Sequence, residues 1–158
     1  MILKSPDQED SNLRPQRKRP TKDEYWLSLL TSLRERGTCP RRTTAAIIVD
    51  DDNHIISTGY NGPPRSFRHC TDWPCLGAAD PPGDSSRCFA IHAEQNALLQ
   101  AGDRLRFAET IYCTTLPCFT CAKLICNTSI KRVVYQEDYK DQMGKQLLSY
   151  GDIKCFTI

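Results

Sequence analysis

Apolar and polar positions follow two different periods along this chain. Between residues 21 and 37 the apolar positions Tyr25, Trp26, Leu29, Leu30 and Leu33 recur at helical spacing. Thr21-Lys22-Asp23-Glu24 before them fits a capping box, and Gly37 after them offers a stop. A first helix is predicted there. The stretches "TTAAIIV" and "HIISTGY" then flank the turn-like "DDDN", which predicts a β-hairpin. Residues 61–88 interrupt the pattern with five of the ten prolines, three glycines and three cysteines. A loop that long in a small domain is usually functional or stapled.

Beyond the loop the period alternates. "IHAEQNALLQA" reads as a helix ending near Gly102, and "TIYCTT" as a strand. "CFTCAKLICNT" reads as a helix opened by Pro117, followed by the strand "KRVVYQ". "YKDQMGKQLLSY" is a helix ending near Gly151, and "DIKCFTI" a last strand. Strand–helix alternation after a hairpin argues for an α/β fold, a mixed sheet with helices on both faces.

At 158 residues the chain is expected to form one domain, over residues 19–158. Residues 1–18 are polar and contain proline; with the basic knot Arg17-Lys18-Arg19 they read as a mobile, solvated tail. The formal charge of +2 gives no argument for a nucleic-acid or membrane partner. No apolar run approaches a membrane span, and the N-terminal stretch lacks a signal-peptide pattern. A cytoplasmic location is expected. Nine cysteines, an odd number in a chain with no mark of secretion, suggest metal ligation more than bridges.

Two stretches carry chemistry. In "LPCFTCAKL", Cys118 and Cys121 are three apart and would share one helix face. A helix start favours thiolate over thiol. Two thiolates lack one nitrogen to make a three-ligand zinc site with an open fourth position. In "FAIHAEQNALL", His92 can supply that nitrogen, and Glu94 stands two residues on as a non-ligating proton carrier. Zinc so held acidifies a water in its open position. Taken singly, a C-x-x-C can be redox-active and a helical histidine can be a core residue. Together, H-x-E followed by P-C-x-x-C is the recognised signature of zinc-dependent nucleobase deaminases.

The sequence resembles the cytidine/deoxycytidylate deaminase superfamily, and within it the deoxycytidylate (dCMP) deaminases. "RPTKDEYWLSLL", "IISTGYNGPPR", "IHAEQNALLQ" and "TTLPCFTCAKLICNTSIKRVVY" carry the likeness, over about residues 19–158. The resemblance implies a three-layer α/β/α sandwich with a five-stranded mixed sheet. It implies hydrolysis of dCMP to dUMP and ammonia, supplying dUMP for thymidylate synthesis, with activation by dCTP and inhibition by dTTP. It also implies a homo-oligomer, a hexamer foremost. Asn61 and Tyr60 would contact the nucleotide, and Gly59, Tyr60, Asn61 and Gly62 would lie near an effector. The alternatives are another free substrate (dCTP, a modified dCMP, cytidine) or an editing deaminase acting on nucleic acid. The family's usual Val-Gly-Ala before the hairpin is Thr44-Ala45-Ala46 here, a departure near the expected substrate pocket.

The remaining cysteines divide. Cys70, Cys75 and Cys88 lie in the long loop, and with Cys39 or His69 they are compatible with a second, structural zinc. The resemblance favours Cys39. Cys113, Cys126 and Cys155 are expected as small buried apolar residues. Trp26 and Phe89 are expected in the core and His54 in solvent. Arg65 and Arg68 are candidates for a phosphate.

Overall fold

The computed structural model describes residues 17–80 and 87–158, so the tail expected over residues 1–18 lies almost wholly outside the described part. Helix α1 (Lys22–Arg34) starts at the predicted capping box: Glu24 N–H donates to Thr21 Oγ1 at 3.2 Å, and Thr21 N–H to Glu24 Oε2 at 2.7 Å. Strands β1 (Ala45–Asp50) and β2 (Ile55–Tyr60) form the predicted hairpin. After the loop come α2 (Ala93–Ala101), β3 (Ala108–Thr115), α3 (Phe119–Cys126), β4 (Arg132–Glu137), α4 (Met143–Tyr150) and β5 (Lys154–Thr157). Two 3₁₀ turns, Leu76–Ala79 and Gly102–Phe107, have no counterpart in the periodicity.

The five strands make one sheet in the order β2-β1-β3-β4-β5. β1 runs antiparallel to both neighbours, whereas β3, β4 and β5 are parallel. The sheet is therefore mixed, with helices on both faces as the alternation required. On one face α1 buries Trp26, Leu27 and Leu30 against Ile47, Val49, Tyr112 and Val134. On the other, α2, α3 and α4 cover Ala46, Ile48, Ile111, Cys113, Val133 and Tyr135. Each large apolar side chain buried in these layers contributes about 1.5–3 kcal/mol. A polar clasp reinforces the α1 layer. Tyr112 OH donates to Asp23 Oδ1 at 2.6 Å, and Arg132 Nη2 reaches Asp23 Oδ2 at 3.0 Å. Burial, and then the Asp23 carboxylate, push the Tyr112 hydroxyl above its ordinary pKa.

Some expectations are corrected. Phe89 is 47% exposed, because it precedes α2 and packs edge-on against Phe67 in the loop instead of joining the helix's core face. Tyr25 is likewise exposed, since α1 turns Trp26, Leu27 and Leu30 inward. Cys113 is fully buried, but Cys126 and Cys155 are only partly so. Tyr135 is 1% exposed and belongs to the core. Among the described residues no helix is long and apolar enough to cross a membrane.

Candidate metal centre

The metal-type residues sit at helix starts, not in helix interiors. His92 is the N-cap of α2, with extended backbone, and its N–H donates to Gln95 Oε1 at 2.9 Å. Cys118 is the N-cap of α3, also extended. Pro117 therefore precedes the helix instead of opening it, a one-residue correction to the expected start. Cys121 follows in the first turn and is fully buried. The two helix starts face one another. His92 Nδ1 lies 3.5 Å from Cys118 Sγ and 3.4 Å from Cys121 Sγ. All three ligand atoms fall within 4.8 Å of one another.

Those separations fit a metal. For zinc–sulfur and zinc–nitrogen bonds near 2.3 and 2.0–2.1 Å in a tetrahedron, a nitrogen–sulfur edge is about 3.6 Å. The donor set, one imidazole and two thiolates, suits zinc and leaves a fourth position. The protonation pattern points the same way. The Cys118 thiol is held down to about 4, chiefly by the hydrogen bond from Cys121, with further help from His92. The Cys121 thiol is pushed up by that same bond. His92 is raised by its bond to Cys118. The pair shares a proton that a divalent cation would displace.

Glu94 is 8% exposed and lies in the first turn of α2. Burial raises its carboxyl above the ordinary range, and the Cys118 thiolate adds to that. Among the described residues it belongs to no three-ligand set, and its interactions with His92, Cys118 and Cys121 put it beside the metal position as a group able to hold or release a proton.

Neighbouring contacts fix the two helix starts on the sheet. A Cβ at Gly59 would stand 2.2 Å from Ala93 O and 2.4 Å from Ala97 N, so β2 and α2 touch backbone to backbone there. Ser57 Oγ donates to Ala97 O at 2.7 Å, and Asn96 Nδ2 to Tyr60 O at 2.8 Å. The asparagine of the H-A-E-Q-N run thus ties α2 to the end of β2, a role its helical position gave no sign of. On the other side, a Cβ at Gly144 would meet Pro117 O at 2.2 Å. The start of α4 is thereby set against the peptide that carries Cys118.

The Gly59–Gly62 segment is built into this frame. Gly62 and Ile91 exchange backbone hydrogen bonds, delivering the chain to His92. Asn61 is buried, and its amide holds the segment before β1: Thr44 N–H donates to Asn61 Oδ1, and Asn61 Nδ2 donates to Arg42 O, both at 2.8 Å. One lone pair and one N–H of that amide remain for another partner. Arg68 lies over the Trp73 ring at 5.3 Å, and Arg65 is exposed.

The second cysteine group is also gathered. All four thiols are free; Cys75 hydrogen-bonds with Cys70 and Cys88, and Cys39 is close enough to act electrostatically on Cys70 and Cys88. Hydrogen bonds from the backbone, Phe89 first, lower Cys75, while burial raises Cys70 and Cys88. Among the described residues, no three of these thiols draw within 4.8 Å as the first set does. His69 is exposed.

Residues 20–137 match the family model of the cytidine and deoxycytidylate deaminase zinc-binding region. The chain belongs to that family. The deoxycytidylate deaminase of Saccharomyces cerevisiae is 41% identical over 126 residues, covering 77% of this chain and 39% of that protein. The deoxycytidylate deaminase of Mycobacterium phage D29 is 36% identical over 126 residues, 76% of this chain and 98% of that one. The chain spans about two fifths of the length of the S. cerevisiae relative and of the deoxycytidylate deaminase of Schizosaccharomyces pombe. Among solved structures, the dCMP deaminase of cyanophage S-TIM5 in complex with dCMP and dUMP superposes with a TM-score of 0.73. It is 25% identical over 90% of this chain and all of that one. The fold is thus the cytidine deaminase-like α/β arrangement expected for the family.

Proposed function

We propose that this chain is a zinc-dependent deaminase that converts dCMP and water to dUMP and ammonia. The observation that carries the reading is the His92–Cys118–Cys121 set, spaced like one face of a tetrahedral zinc site, with buried Glu94 beside it. Zinc held there would acidify a water in the open position. Glu94 would take that water's first proton and give it to the ring nitrogen, where it stays, and then carry the second, from the hydroxyl formed on the attacked carbon, to the departing amine. Its raised carboxyl pKa suits a group that both accepts and donates within one turnover. The S. cerevisiae and phage D29 relatives named for dCMP support the substrate.

Asn61, through its remaining amide positions, and Tyr60 contact the nucleotide. The Gly59–Gly62 segment lies beside an effector, dCTP activating and dTTP inhibiting. Cys70, Cys75, Cys88 and Cys39 hold a second, structural zinc that orders the long loop. The domain is residues 19–158, working in the cytoplasm as a homo-oligomer.

The test is ammonia release from dCMP, CMP, deoxycytidine, cytidine, dCTP and guanine, with and without dCTP as activator. A strong preference for dCMP, lost in Glu94→Ala, is the expected result. Turnover of a nucleoside or guanine instead would move the chain to another branch of its family. No turnover on the whole panel with zinc bound would overturn the free-nucleotide reading, and salt-sensitive binding of single-stranded DNA or tRNA would then replace it.

A further inference from the structure

We propose that Thr115 is a substrate-contacting residue, its hydroxyl donating a hydrogen bond to the ring carbonyl of the bound pyrimidine. The inference rests on the deaminase reading above and adds a specificity-determining residue to it.

Thr115 closes β3, three residues before Cys118. Strand alternation decides which face it takes. Tyr112 turns to α1, where its hydroxyl meets Asp23. Cys113 turns the other way, into the core beneath α2 and α3, and feels the Glu94 carboxylate. Thr114 turns back, its hydroxyl engaged with the backbone of Ala45. Thr115 therefore shares the face of Cys113, the face that carries the metal ligands. It lies at the strand end from which the chain runs directly to Cys118. In α/β sheets ligands gather at such carboxyl ends.

Among the described residues, the hydroxyl in that position has no partner. Thr115 is 8% exposed, and its Oγ1 is buried without a hydrogen bond. The other buried hydroxyls on the sheet are satisfied: Ser57 by Ala97 O, Thr110 by Arg132, Thr114 by Ala45. The carboxylate opposite it on β4, Glu137, pairs with Arg34 and Arg42 instead. Two other buried polar atoms lack partners among the described residues, Thr38 Oγ1 and Asp80 Oδ2. Neither is on a strand of the metal face. A buried unpaired hydroxyl costs stability, and a fold keeps one most readily where a ligand completes it.

The neighbours tell what that ligand offers. Thr44 and Asn61 continue the row across the sheet, joined by Asn61 N–H to Thr44 O at 3.2 Å. A planar base lying over this row with its amine-bearing carbon at the metal presents a carbonyl as its other strong acceptor. Deamination leaves that carbonyl unchanged, so a donor to it holds substrate and product alike.

The test uses the zinc-loaded full chain and the variants Thr115→Val and Thr115→Ser. In Thr115→Val the KM for dCMP and the inhibition constant of dUMP should rise together, by about threefold to tenfold for the loss of one neutral hydrogen bond. The kcat and zinc content should stay within about twofold, and Tm should hold or rise because an unpaired hydroxyl has been removed. Thr115→Ser, which keeps the donor, should restore both constants. If Thr115→Val leaves both within about twofold of the parent, or weakens them only as far as it lowers zinc content and Tm, the hydroxyl is structural and the proposal falls. A parent chain that releases no ammonia from dCMP overturns the deaminase reading instead, before any variant is compared.

Discussion

Gly144→Ala should loosen the metal, although on helix propensity alone it should help the protein. Alanine inside a helix is favoured over glycine by about 1 kcal/mol. Gly144 is buried in α4 and is not among the positive-φ glycines, so the backbone would accept alanine. The obstacle is space. The added Cβ would lie 2.2 Å from Pro117 O, 3.1 Å from Cys118 C and 3.3 Å from Pro117 C. Ordinary contact begins near 3.5 Å, so about 1.3 Å must be found. Every atom met belongs to backbone, so no side-chain rotation relieves the clash. Either α4 lifts away or the Pro117–Cys118 peptide moves. Overpacking of this kind costs about 1–3 kcal/mol, more than the propensity gain. Ligand distances in a working zinc site tolerate only about 0.2 Å. Zinc affinity should therefore fall by about 10- to 100-fold, the usual effect of disturbing a support behind a metal ligand. The assay is zinc competition against a chromogenic chelator, read beside Tm and ammonia release. Gly151→Ala is the control: its Cβ would meet Cys126 Sγ at 3.1 Å, away from the ligands, and zinc affinity should not change. An alanine at 144 with unaltered zinc affinity and a raised Tm would refute the spacing argument.

Gly59→Ala should lower Tm and activity together by forcing α2 off β2, since both close atoms are backbone; thermal denaturation reads it. Glu94→Ala should keep its zinc, by atomic absorption, yet lose several orders of magnitude in kcat, because the proposed reaction routes its proton transfers through that carboxylate; activity within about tenfold would remove it from that role. Cys118→Ser and Cys121→Ser should each lower bound zinc by about one per chain. Cys75→Ser, which removes the central thiol of the loop group, should also lower the zinc count by about one while leaving Glu94-dependent chemistry testable in the remaining site.

Much of this was legible in the order of residues. The strands, their hairpin and the capped first helix follow from local periodicity and capping, which a few neighbouring residues determine. So does the pairing of H-x-E with P-C-x-x-C, because the ligand types and their spacing are properties of short segments. Other features depend on what packs on what. Phe89 looked like core because it is apolar and precedes a helix, but α2 begins only at Ala93 and leaves it in the loop. Asn61 is singled out in sequence only by the family resemblance, as a nucleotide contact, and the two backbone bonds of its amide near β1 show only in the structure. Gly59 and Gly144 carry no chemistry, and only the approach of a second backbone reveals their use. Asn96 and Thr115 were equally silent. A satisfied side chain and an orphaned one look alike in sequence.

The siting of the polar residues explains how an apolar layer tolerates them. His92 and Cys118 are N-caps, and Glu94 and Cys121 sit in the first turns. Had any of them stood mid-helix, the surrounding N–H groups would already be committed to the helix's own carbonyls. At a helix start those donors are free, and the dipole end is positive. A buried site with two thiolates and a carboxylate is rich in negative charge. A divalent cation held there would cancel only the thiolates and leave the Glu94 carboxylate. Two helix starts meeting at one point supply the compensating field from fixed backbone, without recruiting a further cation into the pocket. Their convergence depends on both helices being held to the same sheet, α2 through Gly59 and Asn96 and the start of α3 through β3 and Gly144. The electrostatics of the site and the close packing behind it are therefore one requirement: the dipoles help only while the two helix starts stay within ligand distance of each other.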